Sequence, residues 1–165
     1  MDQAAILVLT TGGTIDKNYF DALSEYQVVD SGIPALLKEA RVALPFRVEE
    51  VCRKDSLELT DADRAEIARR VAAAAETRIV ITHGTDTMTD TAKALACIPG
   101  KTIVLTGALS PARFAETDAP FNLGMAFATA QVAPPGVYIA MSGQVFNGLK
   151  VRKDRAAGRF VAVED

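Results

Sequence analysis

VLTTGGTIDK, residues 8–17, sets a β-branched apolar run directly against two glycines and a threonine, and then turns charged. A strand that ends in Gly-Gly lets the backbone turn sharply. It also brings amide N–H groups close to whatever sits in the crevice, because no Cβ blocks the approach. The loop is therefore shaped for an anion or a carbonyl, and Thr14 stands at its end. No Lys-Ser/Thr pair follows the glycines, as a P-loop requires, and no third glycine stands at the dinucleotide spacing, so a nucleotide site is disfavoured.

The same strand-then-polar-turn pattern recurs downstream. AILVLT (5–10), RVEEVC (47–52), RIVIT (78–82), KTIVLT (101–106) and GVYIAM (136–141) read as strands, mostly continuous Val- and Ile-rich runs of the kind buried on both faces. Between them IPALLKEA (33–40), DADRAEIARRVAAAAE (61–76), TDTAKALAC (89–97) and APFNLGMAFATAQ (119–131) read as helices, several opened by Ser, Thr or Asp. In the last of these, proline falls in the first turn, where its missing N–H costs little. Regular alternation predicts an α/β fold: a three-layer sandwich with a mostly parallel sheet flanked by helices, and ligands collected at the carboxyl ends of the strands.

Composition narrows the partners. With 165 residues and 49% of them apolar, the chain is long enough for one domain with a full core. Eighteen basic against 21 acidic side chains leave a net charge of −3 and no basic block, which argues against nucleic acid and against an anionic membrane surface. A small, uncharged or zwitterionic ligand suits this balance. The apolar run of the N-terminus is too short for a signal peptide, and no stretch reaches membrane-spanning length, which predicts a cytoplasmic protein. Cys52 and Cys97 match no metal-ligand spacing and are expected to be buried, reduced thiols; no metal site is predicted.

Five polar exits converge on one sheet edge: Thr10 to Thr14, Lys54-Asp55-Ser56, His83 to Thr87, Thr106-Gly107-Ala108 and Ser142-Gly143. Any one of them, alone, is adequately explained as a helix cap; their coincidence is what marks a site. Neither a nucleophile elbow with Ser-His-Asp order nor a Cys-His pair is present. A threonine nucleophile therefore needs another base, and the chain offers Lys153 beyond the last predicted strand and Tyr19 and Tyr26 after the first. Residues 16–31 mix charged, aromatic and small side chains without a helical period, and are expected to form a mobile lid.

TTGGTID, ITHGTDTMTDTA (81–92), TGALSPARFAETDAPFNL (106–123) and MSGQVFNGLKVRK (141–153) resemble, in order and spacing, the N-terminal domain of bacterial-type L-asparaginases and glutaminase-asparaginases. The resemblance covers almost the whole chain. It implies an amidohydrolase that converts L-asparagine to L-aspartate and ammonia through a threonine acyl-enzyme, with lower activity on glutamine and no cofactor. Carried over by position, it makes Thr14 the primary nucleophile and Thr85, Asp86 and Lys153 a Thr-Lys-Asp triad. Tyr26 is preferred over Tyr19 as the catalytic tyrosine because the residues after it keep the family's register. Substrate binding falls to Gly13, Asp55, Ser56, Gly84, Thr85, Asp86 and Ala108, with Ser56 on the α-carboxylate, Asp86 also on the α-ammonium, and the Ala108 carbonyl facing the leaving amide. The family's habit implies a homo-oligomer, dimer or tetramer.

Three departures stand out. Residues 1–165 are expected to form a single domain of the family's N-terminal type, without the C-terminal domain that supplies an acidic residue to the first threonine site. Leu57 occupies the place of a glutamine that in many members follows the binding serine. Two tyrosines, not one, follow the glycine loop. A catalytically inactive amino-acid-binding or sensing module on the same fold is the competing reading, opposed by the intact Thr14, Thr85, Asp86 and Lys153 set.

Overall fold

The computed structural model describes residues 5–164; residues 1–4, part of the N-terminus read above as leaderless, lie outside the described residues, as does residue 165. Its centre is a six-stranded sheet in the order β4-β1-β5-β6-β7-β8. The strands are β1 (Ile6–Gly12), β4 (Phe46–Lys54), β5 (Arg78–Thr82), β6 (Thr102–Thr106), β7 (Gly136–Met141) and β8 (Gln144–Asn147). Every neighbouring pair is parallel except β7 with β8, so the predicted α/β sandwich with a mostly parallel sheet is the observed fold.

Alternation along each strand divides the core in two. Leu7, Leu9, Ile79, Ile81, Ile103 and Leu105 face α2 (Asp61–Ala73) and α3 (Met88–Ala94), meeting Ile67, Val71, Met88 and Leu95. Ile6, Val8, Val80 and Val104 face the other way, onto Ile33 and Leu37 of α1 (Ile33–Glu39) and Leu123, Ala126 and Phe127 of α4 (Ala119–Val132). Each fully buried Leu or Ile contributes about 1.5–3 kcal/mol, which is why runs such as RIVIT have no polar face to spare. The Thr60 hydroxyl and the Asp63 carboxylate form a reciprocal capping box that starts α2. α3 ends earlier than its sequence pattern predicts, so Cys97 falls in the following turn and is exposed, while Cys52 on β4 is half-buried with its thiol against the Thr11 carbonyl. The expectation of two buried thiols is thus corrected.

Five short strands were not legible as strands, among them β8 at the edge of the central sheet. The segment expected to be an irregular lid contains a hairpin, β2 (Lys17–Phe20) with β3 (Glu25–Val28), in which Tyr19 and Tyr26 are direct cross-strand partners. At the other end β9 (Val151–Asp154) pairs antiparallel with β10 (Arg159–Ala162), and their Val151 and Phe160 join the core beside α3. Lys153 therefore lies on a strand, not in a solvated tail.

Asp16 anchors the base of the β2–β3 hairpin. Its carboxylate, 1% exposed, accepts hydrogen bonds from the Ser31 hydroxyl (2.9 Å) and the Gly32 N–H (3.2 Å), and its carbonyl accepts from the Val29 N–H. Burial raises its pKa to about 6, against the opposing pull of those hydrogen bonds and of Arg113; Glu50 adds to the rise.

At the strand ends, glycines let loops touch. Gly13, at φ +82°, backs onto the next loop so closely that a Cβ would sit 2.4 Å from the Gly84 nitrogen. Gly13→Ala should therefore cost at least about 2 kcal/mol in urea unfolding. Gly100→Ala, at φ +71° with open space around it, should cost only the roughly 1–2 kcal/mol of the left-handed backbone; equal losses would show that the close approach is unimportant. For Asp16→Asn, the sign follows from the raised pKa. Below about pH 4 the carboxyl is neutral in both folded and unfolded chains and nothing is gained. As pH rises past 6 the wild type must hold a disfavoured buried charge, and the variant should become more stable by up to about 3 kcal/mol. A pH-independent difference in thermal unfolding would refute this.

Candidate active site

Thr10, Thr82 and Thr106 lie in one row across β1, β5 and β6, so the three strands end at the same level and their exits emerge side by side. Cross-strand hydrogen bonds lock this row: the Thr11 hydroxyl donates to the Thr82 carbonyl (2.8 Å) and the Thr106 hydroxyl to the Ala140 carbonyl (2.8 Å). Gly13 abuts Gly84, Gly84 abuts Ser56, where a Cβ would lie 2.6 Å from the serine Cβ, and Gly107 abuts the His83 carbonyl. The loops carrying Thr14, Ser56, Thr85 and Ala108 are thus packed in one continuous contact.

Lys153 completes the arrangement from β9. Its Nζ donates to Thr85 Oγ1 and to Asp86 Oδ1, each at 2.8 Å, with the lysine side chain 19% and the aspartate 33% exposed. Arg155 Nε lies 4.0 Å from the same Asp86 oxygen. The structure brings Thr85, Asp86 and Lys153 into direct contact. Thr14 sits on the adjoining loop, half-buried at the start of a 3₁₀ turn, one residue after the glycine that touches Gly84.

The remaining candidates fall into three groups. Ser56 and Ala108 are buried and form the floor at the strand ends. Asp55 is engaged elsewhere: its carboxylate accepts from Lys17 Nζ at 2.6 Å and from the Leu57 N–H. Burial works against that carboxylate, but the Lys17 and backbone hydrogen bonds outweigh it and hold its pKa below the ordinary value. The pair ties the hairpin to the Ser56 loop. Tyr19 and Tyr26 pack against each other on the exposed hairpin with ring centroids 5.1 Å apart, and Tyr26 also packs against Phe114 at 6.0 Å. Because they are cross-strand partners, any displacement of the hairpin carries both.

His83 went unassigned in the sequence and has a definite place here. It is fully buried, with Nδ1 2.6 Å from the Gly84 carbonyl and Nε2 2.7 Å from the Thr91 hydroxyl. A carbonyl only accepts, so Nδ1 carries the proton and Nε2 receives the threonine's. Burial lowers its pKa to about 4, so the ring is neutral near pH 7 and serves to hold the backbone between Gly84 and Thr91. Its position in HGTD, immediately after a buried strand, was the available signal.

Among the described residues no group of three or more His, Cys, Asp or Glu is placed to hold a metal ion, and no helix is long and apolar enough to cross a membrane. Two hollows lie away from the threonines, one of about 710 Å³ beside α1 and one of about 540 Å³ between α2 and α3.

Comparison with known proteins agrees with this fold. The chain is 33% identical to an L-asparaginase from Thermococcus kodakarensis, over 93% of its own length and 48% of the relative's. It is 30% identical to a glutaminase-asparaginase from Pseudomonas fluorescens biotype A, over 91% and 45%. The solved thermostable L-asparaginase from Thermococcus kodakarensis superposes with a TM-score of 0.84 at 30% identity, over 96% of this chain and 51% of that one. The chain thus spans about half the length of the curated relatives it matches. Residues 5–162 match the family model for the asparaginase N-terminal domain, and with strand exits and motifs in this order the chain belongs to the asparaginase family.

Proposed function

We propose that this chain carries the amide-cleaving site of an asparaginase: it converts L-asparagine to L-aspartate and ammonia through a threonine acyl-enzyme, with lower activity on glutamine and without a cofactor. The observation that supports this reading above the others is the bridge from Lys153 Nζ to both Thr85 and Asp86 at 2.8 Å. An ion pair with Asp86 alone would satisfy the lysine's charge; the second bond, to a threonine hydroxyl at the strand ends, is the contact a proton transfer requires.

Thr14 Oγ attacks the side-chain amide carbon, its proton passing toward the lysine or a tyrosine; the tetrahedral adduct expels ammonia with a returned proton. Water then attacks the ester in the same place and restores the threonine. A lysine accepts a proton only after releasing its own, and the Asp86 carboxylate stabilises the ammonium that re-forms. The Gly13 N–H is held by the Lys54 carbonyl (2.9 Å), so the backbone N–H groups of Thr14 and Thr85 are the donors for the developing oxyanion. Asp86 already shares its charge with Lys153 and Arg155, so a substrate ammonium competes with both for it. Glutamine carries one more methylene, which displaces its carbonyl from Thr14; such a difference is worth about 1–3 kcal/mol in a fitted site. A dimer or tetramer belongs to the same reading, supported by the exposed apolar side chains Leu57, Leu109 and Phe121.

Ammonia release from L-asparagine by the purified chain tests the reading. Thr14→Ala, Thr85→Ala and Lys153→Met should each lower kcat/KM by about a thousandfold or more, with glutamine slower than asparagine throughout and the melting temperature little changed for the threonine variants. Near wild-type turnover in any of them removes that residue from its role. In single-turnover acylation, Tyr26→Phe should be strongly slowed and Tyr19→Phe should behave as wild type; equal, mild effects would leave Lys153 as the base for both threonines.

A further inference from the structure

The loop that carries Ala108 is held by two side chains of α4 and its cap that no step above uses. Asn122, fully buried in the first turn of α4, donates from Nδ2 to the Gly107 carbonyl (3.0 Å) and to Asp118 Oδ2 (2.9 Å), and its Oδ1 accepts from the Ser142 N–H (3.1 Å). Asp118 stands at the N-cap of α4 without capping it. Its carboxylate turns back to accept from the Leu109 N–H (2.9 and 3.0 Å) and the Ser110 N–H (2.9 Å). The backbone is thus pinned on both sides of Ala108, and Ser142, at φ +53°, is pinned to the same asparagine.

We propose that Asp118, steadied by Asn122, is a positioning residue that aims the Ala108 carbonyl at the leaving amide of the substrate. The inference rests on the amidase reading above. Its physical basis is the peptide plane: the Leu109 N–H and the Ala108 C=O belong to one planar trans unit and point in opposite directions, so an anchor on the first sets the direction of the second. A carboxylate on the N–H side also polarises that peptide and makes its carbonyl a stronger acceptor. Such an acceptor recognises a leaving group that bears N–H and has nothing to offer one that lacks it. Asn122 fixes the preceding carbonyl and the carboxylate together, so the aim is set by α4, a rigid element, and not by the loop itself.

The test compares L-asparagine with L-aspartate β-methyl ester, whose leaving group carries no N–H. Asp118→Asn and Asp118→Ala should lower kcat/KM on the amide about tenfold while changing the ester less than about twofold. Amide hydrogen exchange at Leu109 and Ser110 should accelerate in both variants. Equal losses on the two substrates, or undiminished amide protection in the variants, would overturn the proposal. A wild-type chain that cleaved neither substrate would sink the amidase reading on its own account, and the exchange at Leu109 and Ser110 would still decide whether Asp118 holds the loop. Asn122→Ala removes three buried hydrogen bonds and is not needed for this decision.

Discussion

The contact between Gly13 and Gly84 is the constraint on which the site depends. Two adjacent parallel strands, β1 and β5, end in loops whose backbones meet with no room for a Cβ between them. Ser56 closes against the other side of Gly84, and its carbonyl accepts from the Thr87 hydroxyl at 2.7 Å, so the β4 exit is drawn into the same cluster. Parallel strands place their carboxyl ends together, but by themselves they leave exits about a strand spacing apart. Removing side chains at Gly13, Gly84 and Gly107 lets functional groups on different loops approach one small ligand. The neutral His83, hydrogen-bonded at both nitrogens, keeps the central loop from relaxing away.

Lys153 reaches this cluster at an energetic cost. Withdrawing a lysine and an aspartate partly from water is repaid only when their geometry is good and further hydrogen bonds are made, so such a pair is weak evidence of stabilisation. The bond to Thr85 Oγ1 is the further hydrogen bond that this pair makes. Its support is apolar: Val151 and Phe160, on β9 and β10, sink into the core beside α3 and carry Lys153 with them over the strand ends. The core thus positions a charged group by its neighbours two and seven residues away.

The β2–β3 hairpin is held differently. It has almost no buried side chains and is fastened at its base by Asp16 and by the Lys17–Asp55 pair. Elements with few buried apolar contacts open at low free energy. Tyr19 and Tyr26 stack on this hairpin, and Tyr26 also packs against Phe114 in the segment between β6 and α4.

By itself the sequence determined five of the six strands of the sheet, the four helices and the edge at which the polar strand exits meet. Continuous runs such as RIVIT and TIVLT are compatible only with burial on both faces, and the glycines after them declare a close approach. It also marked Thr14, Thr85, Asp86 and Lys153 by motif. Only the tertiary structure decided that Thr85, Asp86 and Lys153 meet, since 67 residues separate the last two and nothing local records that distance. The strands β2, β3, β8, β9 and β10 escaped the sequence for a related reason: four-residue strands with at most one buried side chain each carry no periodic signal, and their pairing is chosen by what they dock against. Asp55 and Asn122 show the same limit at single residues. A carboxylate in a binding loop and an amide in a helix look alike in sequence whether they meet a ligand or a neighbouring backbone, because the partner that decides their role is supplied by the fold.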